Sequence, residues 1–145
     1  MFDLDTIMAT ELITVHPSSS LYHAGELMKE HRIRHLPVVD DDGRLVGLLT
    51  QSDVLAASDS ILKDRDSQLE VAHFPVEDAM VTEIDTVPSH ASLRQAALYL
   101  ERHKIGCLPV VDDGKLVGIV TDTDFVGVAI NLLEQLEDFE PESDV

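Results

Sequence analysis

The chain has 145 residues, 44% of them hydrophobic, with a single cysteine and a formal net charge of −18. That size suits one compact domain, or two small ones sharing a core. The excess of 28 Asp+Glu over 10 Lys+Arg argues against a general binder of nucleic-acid polymers or anionic membranes, both of which ask for a basic footprint.

The opening MFDLDTIMATEL carries acids where a secretion signal carries positive charge. A short β-branched run follows at 12–15, Leu-Ile-Thr-Val, and predicts a strand. Ser20 is the expected N-cap of a helix, and Leu21, Ala24, Leu27 and Met28 recur at helical spacing. Residues 36–39 predict the next strand. The turn Asp40-Asp41-Asp42-Gly43 then predicts a hairpin into a strand at 44–49. A closing helix is expected to open near Ser52-Asp53. Residues 63–73, KDRDSQLEVAH, read as a charged connector with no apolar face.

The order then starts again. Residues 84–87 predict a strand, Ser92 an N-cap, and Leu93, Ala96, Ala97 and Leu100 a helix. Residues 108–111 and 115–120 predict a hairpin around Asp112-Asp113-Gly114, and the last helix opens near Thr123-Asp124. Its apolar run, 125–133, is far short of the ~18 residues that span a bilayer. Residues 137–145 hold five acids and read as a frayed acidic tail. The expectation is a cytoplasmic protein.

The chain is written twice. A shift of 72 places Met8 on Met80, Glu11 on Glu83 and Ala24 on Ala96. It also places Leu36-Pro37-Val38-Val39-Asp40-Asp41 on Leu108-Pro109-Val110-Val111-Asp112-Asp113. Removing Asp42 from the alignment changes the shift to 71, and Gly47, Thr50 and Asp53 then meet Gly118, Thr121 and Asp124. Chance agreement would be roughly 6%. Two repeats are too few for a solenoid. The expected architecture is α+β: two β-α-β-β-α repeats, at 2–62 and 74–136, packed sheet to sheet about a pseudo-two-fold axis.

The motifs Leu-Pro-Val-Val-Asp, an acidic turn with glycine, and Gly-x-x-Thr-x-x-Asp occur in order in both halves. In this the chain resembles a tandem pair of CBS domains, a Bateman module, over almost its whole length. The resemblance implies a free-standing regulatory module rather than an enzyme. It would bind an adenine nucleotide of the AMP, ADP or ATP class between the repeats, form a homodimer and signal to a partner protein. The resemblance also supplies the pairing of segments. One cleft combines Ile33, Arg34 and His35 of repeat one with Ile119, Thr121, Thr123 and Asp124 of repeat two. The other combines Ile105, Gly106 and Cys107 with Leu48, Thr50, Ser52 and Asp53. In such modules the motif aspartate accepts from ribose hydroxyls and the motif hydroxyls donate to phosphate.

The residue chemistry fits those roles. A carboxylate can accept from two adjacent hydroxyls, and a helix N-terminus flanked by hydroxyl side chains favours an anion. An aspartate three residues after a threonine can equally be a plain helix cap. Arg34 offers a bidentate phosphate contact, and the second cleft has no counterpart, so the sites are expected to be unequal. Lys29 and Arg102 are explained by helix C-termini and are left out of the site. His31 and His35, like His103 and Cys107, are four apart, but Leu-Pro breaks the helix and spoils a metal face, so no metal site is assigned. Cys107 lacks the partners of a nucleophile. Two other functions remain open on the residues: a ligand-free interaction module, and a Mg²⁺ sensor built on the acidic turns.

Overall fold

The computed structural model describes residues 3–62 and 73–139. Repeat one comprises α1 (Leu21–His31), β1 (His35–Val39), β2 (Leu45–Thr50) and α2 (Gln51–Leu62). Repeat two comprises α3 (Leu93–His103), β3 (Cys107–Asp112), β4 (Lys115–Thr121) and α4 (Asp122–Phe139). Most of the connector lies outside the described residues. Of the acidic tail, 137–139 prolong α4 and 140–145 lie outside them.

Both helix starts are as the sequence predicts: Ser20 accepts from the His23 amide at 3.0 Å and Ser92 from the Gln95 amide at 3.1 Å. Both helices stop at a left-handed residue, Arg32 (φ 55°) and Lys104 (φ 54°), which turns the chain toward the strand. Each pair of strands is an antiparallel hairpin, with Leu36 opposite Leu49 and Leu108 opposite Val120. Asp113 and Gly114 both have positive φ, 52° and 80°, as a two-residue hairpin turn requires. The extra Asp42 lengthens the other turn. There Asp40 accepts from the Asp42 and Arg44 amides, both at 2.9 Å.

One expected element is smaller than its composition suggests. The runs 12–15 and 84–87 each make a single parallel bridge, Val15 to Val38 and Val87 to Val110. Proline is the reason. Val15 donates to the Pro37 carbonyl and accepts from the Val39 amide, and the next rung needs an N–H on Pro37 that proline lacks. Pro109 stops the other ladder in the same way.

The two cores are related residue by residue. The first contains Leu21, Ala24, Met28, Leu36, Val38 and Leu49, and the second Ala96, Leu100, Leu108, Val110 and Val120. Each is completed by the other repeat. Leu4, on the 3-10 turn Leu4–Thr6, is fully buried in the second core with Ile7 and Met8 beside it. Val76, on the turn Val76–Asp78, is fully buried in the first core with Ala79 and Met80. Backbone bonds fix these arms. Leu4 donates to the Ala91 carbonyl at 3.0 Å, and Ala9 and Ile119 bond reciprocally at 3.0 and 3.2 Å. In the mirror arrangement Val76 donates to Ser19 at 2.8 Å, and Val81 and Leu48 bond reciprocally at 2.9 Å. The halves therefore exchange their leading segments, and each arm runs on into a cleft. Gly118 permits this, because a Cβ there would stand 2.6 Å from the Met8 sulfur and 3.2 Å from the Ala9 carbonyl.

Candidate functional site

The first cleft is a cavity of about 340 Å³ built by three segments. The arm of repeat one supplies Ala9, Glu11, Leu12 and Ile13. The turn after α1 supplies Arg32, Ile33, Arg34 and His35, with Pro37 behind them. The end of β4 and start of α4 supply Ile119, Thr121, Asp122, Thr123 and Asp124. All seven residues expected at this cleft from the sequence line it together. Ala9, Glu11, Leu12, Ile13, Arg32, Pro37 and Asp122 are additions.

The second set is divided. Leu48, Thr50, Ile105, Gly106 and Cys107 line a cavity of about 290 Å³ with His35, Val81, Glu83, Ile84 and Asp85. Ser52 lies in an adjoining space of about 230 Å³, with Arg34, His35, Thr50, Gln51, Gly106 and Asp122. Asp53 lines none of these cavities. Its Oδ2 accepts from the Thr50 amide at 3.1 Å, and its own amide donates to Thr50 Oγ1 at 3.1 Å. That is a helix cap closed on itself. Asp53, expected in the second cleft, thus stands at the start of α2 outside these cavities.

Asp124 differs. Its Oδ2 accepts from both the Thr121 amide at 2.8 Å and the Thr121 hydroxyl at 3.3 Å. Capping and ligand contact are therefore compatible in this carboxylate, because Oδ1 takes no bond from the described residues. The start of α4 is set by a further bond, from the Asp122 amide to the Gly106 carbonyl at 3.1 Å. The Gln51 amide makes the equivalent bond to Arg34 at 2.9 Å.

His35 stands where the clefts meet and lines both. Its pKa is lowered from the usual 6.5, first by burial and then by the Arg34 guanidinium, with Asp122 opposing. The imidazole is therefore neutral at pH 7. The unfolded ring takes up a proton near pH 6.5 while the folded ring resists it, so this group's contribution to stability is full above 6.5 and is lost as pH falls toward the folded value. Melting temperatures measured from pH 7.5 to 5 should fall more steeply for the natural protein than for His35→Asn. Equal slopes would remove His35 from the account.

Other groups are accounted for locally. The Cys107 thiol is buried and its pKa is pushed up to about 12 by burial, helped by Asp122 and Asp124, so it is protonated at neutral pH and a poor nucleophile. His103 stacks on Tyr99 with ring centres 4.0 Å apart. Lys29 reaches Glu26 at 3.8 Å. Asp112 accepts from the Ser89 amide at 3.0 Å and hydroxyl at 2.6 Å, which lowers its pKa. Asp40 thus serves its own turn, and Asp112 ties the end of β3 to the segment that leads into α3. Among the described residues no group of three His, Cys, Asp or Glu is arranged to hold a metal ion, and no helix is long and apolar enough to cross a membrane.

Paired hairpins with exchanged arms, and a cleft on each side of a pseudo-two-fold axis, define a two-repeat binding module. The chain matches the CBS domain family over residues 4–60 and 76–131, and it belongs to that family. It is similar to the AcuB protein of Vibrio cholerae, with 41% identity, a TM-score of 0.83 and 97% of this chain and 99% of that chain covered. It is similar to CBSX2, solved in complex with AMP, with 34% identity, a TM-score of 0.79 and 92% and 99% covered. It is also similar to the CBS domain pair of protein MJ0100, solved with 5′-methylthioadenosine and S-adenosyl-L-methionine, with 28% identity, a TM-score of 0.76 and 91% and 98% covered.

Proposed function

We propose that this chain is a sensor of adenine nucleotides and that the first cleft is its principal site. The observation that carries the reading is the cavity of about 340 Å³, in which Glu11, Arg32 and Arg34 of repeat one meet the hydroxyls and carboxylates of Thr121, Asp122, Thr123 and Asp124 of repeat two. That volume lies within the range of small-molecule sites. Asp124 would accept from the ribose hydroxyls. Thr121 and Thr123, at the α4 N-terminus, would face phosphate together with Arg34. Ile33 and Ile119 would wall the base. The AMP complex of CBSX2 supports this choice of ligand class.

Signalling would follow from linkage. The cleft is made from both repeats, so a nucleotide that prefers one packing of the halves shifts their arrangement. The reader of that shift would be a partner protein or a second copy of this chain. An exposed apolar row on α4, comprising Val126, Ile130 and Leu133, supports such an interface. The proposed setting is the cytoplasm, where adenine nucleotides are available.

Titration calorimetry with AMP, ADP and ATP tests the reading. At least one of them should bind below millimolar concentration, and Arg34→Ala should weaken that binding about tenfold, the loss of one charge-assisted pair. Absence of binding by all three defeats the proposal. Binding unaffected by Arg34→Ala moves the phosphate elsewhere.

A further inference from the structure

We propose that His35 makes the first cleft a reader of pH as well as of nucleotide: a phosphorylated ligand bound there draws a proton from solution onto the imidazole, and its affinity rises as the pH falls toward 6. This rests on the first cleft holding the ligand's phosphate and adds how that binding is regulated.

The placement of the ring carries the argument. His35 opens β1 opposite Thr50 of β2. Among the described residues it alone lines the cavity of about 340 Å³, the cavity of about 290 Å³ and the space of about 230 Å³. Its Cε1 and Nε2 lie 3.4 and 3.6 Å from the point that a Cβ on Gly106 would occupy, and Asp122 Oδ2 lies 3.7 Å from the same point. The missing side chain at Gly106 thus lets the ring edge and the carboxylate face one another. The mate of His35 in repeat two is Cys107, whose thiol stays protonated at neutral pH. The proton site therefore belongs to repeat one alone.

The charges around the ring come from every segment that packs on it. Arg34 is its chain neighbour, and Arg32 lines the same cavity. The start of α4 brings Asp122 and Asp124, and the arm of repeat one brings Glu11. On the other side the arm of repeat two brings Glu83 and Asp85. The start of α2 brings the neutral Gln51 and Ser52. In the free protein, burial and Arg34 outweigh Asp122 and hold the ring neutral. A phosphate monoester, with about two negative charges at neutral pH, reverses that balance when it pairs with Arg34. It cancels the repulsion from the guanidinium and adds an attraction of its own, with Asp122 already favouring the cation. The ring therefore takes its proton at a higher pH with ligand bound than without. Linkage makes the effect reciprocal: protonation of His35 strengthens nucleotide binding by the factor by which nucleotide strengthens protonation.

Calorimetry on the full chain with AMP, ADP and ATP, in two buffers of different protonation enthalpy, tests the coupling. The ligand's own phosphate titrates near pH 6, so the comparison is with His35→Asn, in which that contribution remains. At pH 6.5 the natural protein should take up about half a proton more per bound nucleotide than His35→Asn does. Its Kd relative to that variant should fall about threefold between pH 7.5 and 6.5. In the natural protein the Cε1–H signal of His35, followed by NMR, should titrate at higher pH with nucleotide than without it. Equal uptake by the two proteins, or a His35 ring that titrates at the same pH with and without nucleotide, overturns the coupling while leaving the nucleotide reading in place. Failure of all three nucleotides to bind overturns both.

Discussion

Replacing Leu4 with alanine is expected to cost about 2–5 kcal/mol, as a fully buried leucine should. The loss should appear in the second repeat, although Leu4 precedes the first. Leu4 lies among Ala96, Leu100, Leu108, Val110 and Val120, so its truncation leaves a void between α3 and the β3–β4 hairpin. Val76→Ala should damage the first repeat in the same manner, by a smaller amount because fewer methyl groups are removed. Urea unfolding with hydrogen exchange resolves the location. If protection in β3 and β4 survives Leu4→Ala unchanged while β1 and β2 lose theirs, the arm does not cross over.

The second large effect concerns Asp124, and two substitutions separate its two duties. Asp124→Ala removes both the cap on α4 and the proposed ribose acceptor. Nucleotide binding should become undetectable, and stability should drop by the ~1 kcal/mol typical of a lost cap, which lowers the melting temperature. Asp124→Asn keeps an oxygen for the Thr121 amide but loses the ability to accept from two hydroxyls on equal terms. It should melt within a degree or two of the natural protein and still bind AMP at least tenfold more weakly. A nucleotide-induced melting shift of natural size in Asp124→Asn would show that the residue is a cap and nothing more. The paired change Asp53→Asn should leave AMP binding untouched, since Asp53 lines neither cleft.

Much of this arrangement is legible in the residues, and the parts that are not share one cause. The duplication, the serine caps and the Asp-Gly turns follow from local chemistry. The seven residues expected at the first cleft line one cavity. The arms are another matter. Leu4, Ile7 and Met8 are nearly equivalent to Val76, Ala79 and Met80, so either arm satisfies either core and sequence alone leaves their assignment degenerate. With the arms go the wall residues they deliver, Ala9, Glu11, Leu12 and Ile13. Asp122 carries no signal of its own, because the first residue of a helix usually faces water. Asp53 and Asp124 have the same motif, and only the rotation of the threonine hydroxyl tells them apart. The bound on the parallel ladder is legible too, since Pro37 and Pro109 lack the N–H that a longer one needs.

The exchange of arms also sets an order of folding. While the chain is being made, the first core stands open until Phe74 and Val76 arrive, some twenty-five residues after Leu49 closes its hairpin. Each half thus lends the other a part of its core. A chain carrying one repeat alone would hold an arm without an acceptor and a core without a cover. Two such chains would satisfy each other by trading arms, a domain-swapped pair written in separate molecules. Joining them in one polypeptide makes that association intramolecular and independent of concentration.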